Sequence, residues 1–144
     1  MRAALCAVLT LLAAISAACG GSPPAANIQG RYVLAGATAA TLEIVRDGDR
    51  YVVTLGGGSP GSAGAAAPAD CHVRAAGAVH GDILDATFVG VETDTFRYSD
   101  TQAQTERRQL RLALKTTSVE VTRADTDGYC GLGATFLGLY RRSS

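Results

Sequence analysis

After about residue 27 the chain is a series of short runs in which every second side chain is apolar. Thr41-Leu42-Glu43-Ile44-Val45-Arg46 sets Leu42 and Ile44 on one face, and Arg50 to Leu55 does the same with Tyr51, Val53 and Leu55. A strand with one wet and one buried face needs this period. Asp47-Gly48-Asp49 separates the two runs, and a turn of that kind between alternating segments predicts a hairpin. Cys71–Ala75 and Asp82–Val89 read as the next strands, with His80-Gly81-Asp82 as their turn and Leu84, Ala86 and Phe88 inward. Arg107–Lys115 places Leu110, Leu112 and Leu114 opposite Arg111, and Thr117–Thr122 repeats the alternation with Val119 and Val121. Gly30–Leu34 opens the series. The glycine-studded run Tyr129–Tyr140, containing Phe136, is the expected last strand.

Two stretches break the pattern. Gly56–Asp70 is rich in Gly, Ser, Ala and Pro and reads as a mobile loop. Glu92–Glu106 is polar, with Phe96 and Tyr98 embedded in it. No segment of this part sustains a 3.6-residue apolar period, so the expected class is all-β. Short strands at regular spacing imply a small antiparallel β-barrel, with a β-sandwich as the alternative. The barrel is favoured by a shared Gly-x-Tyr pattern at the two ends, Gly30-Arg31-Tyr32 and Gly138-Leu139-Tyr140. If the first and last strands pair, no edge is left exposed.

Residues 1–18 belong to a different regime. Arg2 precedes an almost unbroken apolar run from Ala3 to Ile15, and the small residues Ser16-Ala17-Ala18 lead into Cys19. This layout resembles the lipobox signal of bacterial lipoproteins, with Ser16 where leucine is commonest. The resemblance implies a cleaved signal helix over residues 1–18, a diacylglycerol on the Cys19 thiol and palmitate-type acylation of the new amine. Gly20 after the cysteine implies outer-membrane sorting. The alternatives are an ordinary secretory peptide cut after Ala18, which leaves Cys19 a thiol, and a retained helix. The apolar run is short of the ~20 residues that span a bilayer. Residues 19–27 then form a tether, its Gly20-Gly21-Ser22-Pro23-Pro24 favouring a flexible or extended chain. Residues 28–144 make a single β domain, long enough for one core. Loosely, its Cys130-Gly131 and Phe136-to-Tyr140 ending is similar to small lipocalin-type periplasmic barrels, a likeness of fold without an activity.

Cysteine accounting follows from that leader. Cys6 leaves with the signal and Cys19 carries lipid, so Cys71 and Cys130 are the two thiols left in an oxidising compartment, where such pairs join. The alternative is two separated, buried free cysteines. Thirteen basic and thirteen acidic side chains balance. No basic footprint points to nucleic acid or to an anionic lipid surface.

Candidate chemistry is thin. Gly57-Gly58-Ser59-Pro60-Gly61 matches the spacing of a nucleophile elbow, but that device needs a strand, a sharp turn and a helix. Pro60 and a low-complexity loop follow it instead. Cys71, His72, His80 and Asp82 are metal-binding residue types, yet strand alternation sends Cys71 and His72 to opposite faces. Gly131-Leu132-Gly133 lacks the third glycine of a dinucleotide loop. Asp47/Asp49 and Asp125/Asp127 are explained by turn chemistry. No catalytic, metal or cofactor site is therefore expected. The expected function is a non-catalytic binding or inhibitory module, lipid-anchored in the cell envelope and facing the periplasm, with a protein or small ligand as partner. The alternative is a structural or envelope-accessory lipoprotein.

Overall fold

A computed structural model of the protein describes residues 27–35, 40–57, 71–94, 96–130 and 135–144. The chain forms β1 (Gly30–Leu34), β2 (Thr41–Asp47), β3 (Arg50–Gly57), β4 (Cys71–His80) and β5 (Ile83–Phe88). A two-stranded ribbon, β6 (Val91–Glu92) and β7 (Arg97–Tyr98), and a helix, α1 (Asp100–Glu106), come next. Strands β8 (Gln109–Leu114), β9 (Ser118–Ala124) and β10 (Gly138–Arg142) complete the chain.

Eight of these strands close into an antiparallel barrel in the order β1-β10-β9-β8-β5-β4-β3-β2. The first and last strands pair, Tyr32 opposite Arg142 and Leu34 opposite Tyr140, so the ladder has no free edge. An eight-stranded barrel is just wide enough for its own side chains to fill it. Tyr140, Phe88, Phe136, Leu42, Leu55, Leu84, Leu110 and Leu112 do so here, all fully buried. Of the inward positions read from the alternation, Tyr51 and Leu114 are half-buried, since each sits near a strand end at the barrel's rim.

The two Gly-x-Tyr segments play the same structural part. Gly30 and Gly138 have φ of 144° and 138°, which a side chain disfavours. Each lets the chain swing into the barrel so that the following tyrosine is buried. The Tyr32 hydroxyl then donates to the Ile28 carbonyl at 2.7 Å, and the Tyr140 hydroxyl to Phe136 at 2.9 Å. Gly77 serves curvature instead. A Cβ there would lie 1.9 Å from the Asp85 carbonyl oxygen, so β4 and β5 could not approach at this corner with any larger residue. Between Arg111 and Leu112 the β8–β9 register shifts, leaving Thr122 as a bulge whose hydroxyl donates to the Arg111 carbonyl at 3.2 Å.

The outer wall is charged. Arg31 and Glu43, Asp85 and Arg111, and Lys115 and Glu120 form ion pairs on it. This polarity is the reverse of a lipid-embedded barrel, whose outer face is a continuous apolar band. Among the described residues, no helix is long and apolar enough to cross a membrane.

Four sequence expectations are corrected. The polar stretch Glu92–Glu106 contains a helix, because Ser99 and Gln102 form a reciprocal capping box at its start. Of the expected strand Tyr129–Tyr140, residues 131–134 lie outside the described residues, the described part is strand only from Gly138, and Tyr129 and Cys130 lie in a turn bonded to Thr126. Of the expected loop Gly56–Asp70, Gly56 and Gly57 extend β3, and residues 58–70 lie outside the described residues. Strand β4 also runs on past Ala75 to His80.

Candidate functional site

Strand direction sorts the connections into two poles. Tight turns at Gly48-Asp49, Gly81-Asp82 and 115–117 share one pole with Asn27 and with the C-terminal end of β10. The long links, β3 to β4, β5 to β8 through β6, β7 and α1, and β9 to β10, all start and end at the other. Binding residues concentrate on loops held by a rigid scaffold, which makes the second pole the candidate site.

At this loop pole a turn formed by Asp125–Cys130 is pinned across the barrel end. Cys130 is disulfide-bonded to Cys71 at the start of β4, their Cα atoms 5.5 Å apart. The expected pairing is thus found. Tyr129 packs edge-on against Phe88 and Tyr98, with Phe96 tilted beside it, and its hydroxyl donates to the His72 carbonyl at 2.8 Å. Burial pushes the Tyr129 phenol above the ordinary tyrosine range. Arg108 lies over the Tyr129 ring, 5.6 Å from its centroid. From there its guanidinium donates to Glu106 at 2.5 Å and to the carbonyls of Asp125 and Asp127, both at 2.8 Å. Asp125 accepts from Arg123 and from the Gln109 N–H, and those bonds, led by Arg123, hold its carboxyl below the usual range.

The turn pole is sealed by a smaller version of the same device. Arg142 lies over the Tyr32 ring at 5.3 Å and donates to the Asn27 carbonyl at 2.5 Å and the Tyr32 hydroxyl at 3.0 Å.

On the outer wall, reaching from the loop pole to the start of β3, an open groove of 710 Å³ runs between α1 and the faces of β3, β4, β5 and β8. Ala76 and Thr87, cross-strand neighbours, form its floor, and Arg50, Gln104, Arg107 and Gln109 stand around it. Sequence reading missed this groove and both arginine staples. Arg50 and Arg107 meet only through strand order, and the one local clue was the Ser99-to-Gln102 capping box that places α1.

Cys71 faces inward and His72 outward, as the alternation requires, while His80 and Asp82 flank the β4–β5 turn. Among the described residues no three of the His, Cys, Asp and Glu side chains gather around a common point. Cys19, most of the Gly57–Gly61 elbow-like motif and Gly131-Leu132-Gly133 lie outside the described residues. No family model matches the chain, and no curated protein or solved structure matches it either.

Proposed function

We propose that the protein is a lipid-anchored, non-catalytic binding module of the bacterial cell envelope, tethered through Cys19 and facing the periplasm. The observation that carries this reading is the separation of the two poles. The chain enters the barrel at Asn27, on the turn pole, while the long connections lie at the opposite end. The stretch from Cys19 to Ala26 reaches at most ~28 Å when fully extended. An anchor at its start therefore turns the tight-turn pole toward lipid and presents the loop pole and the groove to partners. Buried side chains of the chain itself pack the barrel interior, which favours the outer surface as the place of binding.

Two measurements test this. Expressed in a bacterium, the protein takes up labelled palmitate, and Cys19→Ser abolishes both uptake and detergent partitioning. A photo-crosslinking residue at Gln104 captures protein, whereas the same residue at Asp82 captures lipid. Palmitate uptake unaffected by the Cys19 change, or lipid capture from Gln104, would overturn the reading.

A further inference from the structure

The groove under α1 brings together two arginines without a carboxylate partner among the described residues. Elsewhere Arg31, Arg97, Arg111 and Arg123 each hold a carboxylate, whereas Arg46, Arg74 and Arg141 hold none among the described residues but line no groove with a second arginine whose guanidinium is unengaged. Arg50 and Arg107, both exposed and both lining the groove, hold none among the described residues, and neither guanidinium makes a side-chain hydrogen bond. The groove's one carboxylate, Asp100, is already engaged, accepting from the Gly90 N–H at 2.9 Å. Two guanidinium groups against one carboxylate therefore stand around a floor of small side chains, Ala76 and Thr87, flanked by the side chains of Gln104 and Gln109.

The backbone of Arg107 adds a second, independent observation. Among the described residues it is the one non-glycine with positive φ, at φ 48° and ψ 43°, where it ends α1. Glycine is the favoured residue at such a helix end, and a side chain there costs on the order of 1 kcal/mol. A left-handed residue is a common way to end a helix, and what bears on the groove is that arginine, not glycine, fills the position. Here the conformation brings the guanidinium to the groove.

We infer that this groove binds an extended acidic segment of a partner protein, with its carboxylates held by Arg50 and Arg107. Guanidinium groups match carboxylates by charge and by paired donors. The Gln104 amide can both donate to and accept from a peptide backbone, while Gln109, whose Nε2 donates to Thr87 and to the Arg107 carbonyl, offers its side-chain oxygen as an acceptor. The small floor leaves room for a main chain, and the open shape suits a strand-like occupant better than an enclosed small molecule. The proposal rests on the reading of the protein as a binding module and names the chemistry of what it binds.

The test is nuclear magnetic resonance on the isotope-labelled full-length chain in zwitterionic detergent. The probe is an end-blocked peptide of alternating alanine and glutamate. Its controls are the alanine–glutamine analogue and sodium acetate at equal carboxylate concentration. The acidic peptide is expected to shift the Arg50 and Arg107 side-chain N–H signals and the Gln104 and Gln109 amides saturably. Arg50→Gln and Arg107→Gly should each weaken binding roughly tenfold or more, the loss of one charge-assisted contact. Arg74→Gln should leave binding unchanged. Arg107→Gly is the sharper variant, because it should keep or raise the melting temperature while binding falls, which a merely structural role for Arg107 forbids.

Equal shifts at Arg74 and Arg141, or the same response to the glutamine peptide, would overturn the proposal. Acetate saturating the same signals as tightly per carboxylate would replace a peptide site with a free-anion site and overturn it too. Protein capture from Gln104 that survives both arginine variants would refute the groove while leaving the binding module standing.

Discussion

Both ends of the barrel are closed by a tyrosine lying under an arginine that reaches out to main-chain carbonyls, yet the two closures differ in what they must hold. At the turn pole, Tyr32 and Arg142 come from the first and last strands, which are already paired. The segment they fix, Asn27–Gln29, leads straight into β1; beside the Arg142 contact, Gln29 accepts from the Arg46 N–H at 3.1 Å. At the loop pole, Tyr129 sits in the connection between β9 and β10 and is held to β4, far away in sequence. Long connections lose more freedom on ordering than a short lead-in does. Accordingly this pole carries the disulfide, four aromatic rings in contact and an arginine with three acceptors. The end that presents the candidate site is the end that needs covalent bracing.

The strongest way to break the asymmetry is to remove the bridge. The disulfide closes a separation of 59 residues, for which the chain-entropy account gives about 4 kcal/mol. Replacing Cys71 and Cys130 with serine should lower the melting temperature by roughly 15 °C. Hydrogen exchange should show 125–130 opening first while the Arg46 amide at the other pole stays protected. A uniform loss of protection at both poles would mean that the bridge does not act locally.

The arginines give the next comparison. Arg108 is largely enclosed, and Arg108→Met leaves the Asp125 and Asp127 carbonyls without this donor and Glu106 with the Tyr98 hydroxyl alone, an effect of about 2–3 kcal/mol. Arg142 is exposed, and water can replace it at the Asn27 carbonyl, so Arg142→Met should cost only about 1 kcal/mol and fray the lead-in. Denaturant midpoints of the two variants measure this order. Equal losses would show that the turn pole is as demanding as the loop pole.

The same contrast explains what could be read from the sequence. The wall is built of period-two runs joined by Asp-Gly and Gly-Asp turns, and both signals are local, so strands, hairpins and inward residues such as Leu42, Leu84 and Leu112 were legible. Closure was legible because Gly30-Arg31-Tyr32 and Gly138-Leu139-Tyr140 advertise the same bend twice. The loop pole was not. Helix α1 buries only Ala103, so it has no apolar stripe to show a helical period. Tyr129 stands in an apolar, glycine-rich run that looks like strand until its ring is needed between Phe88 and Tyr98. Arg50 and Arg107 become neighbours of one groove only after β3, β4, β5 and β8 are laid side by side.

The smallest effect separates the poles by their acceptors. At the loop pole the Gln109 N–H donates to the carboxylate of Asp125 at 2.9 Å, whereas at the turn pole the Arg46 N–H donates to the neutral amide of Gln29. Only the first acceptor titrates. Its bonds, first to Arg123 and then to Gln109, favour the charged form and lower the folded pKa of Asp125 below that of the unfolded chain, about 3.9 for an ordinary aspartate. A lowered folded pKa means that the stabilisation is complete above the unfolded value and is lost as pH falls through the folded one. Acid should therefore loosen the Asp125–Cys130 turn, starting below about pH 4, and leave the Asn27–Gln29 seal intact. The Gln109 amide signal should follow the titration with a midpoint below the ordinary aspartate value, while the Arg46 signal stays flat over the same range. Asp125→Asn should flatten the Gln109 response as well. A Gln109 midpoint at or above the ordinary value, or an Arg46 signal that moves with it, would show that the two seals do not differ in this respect.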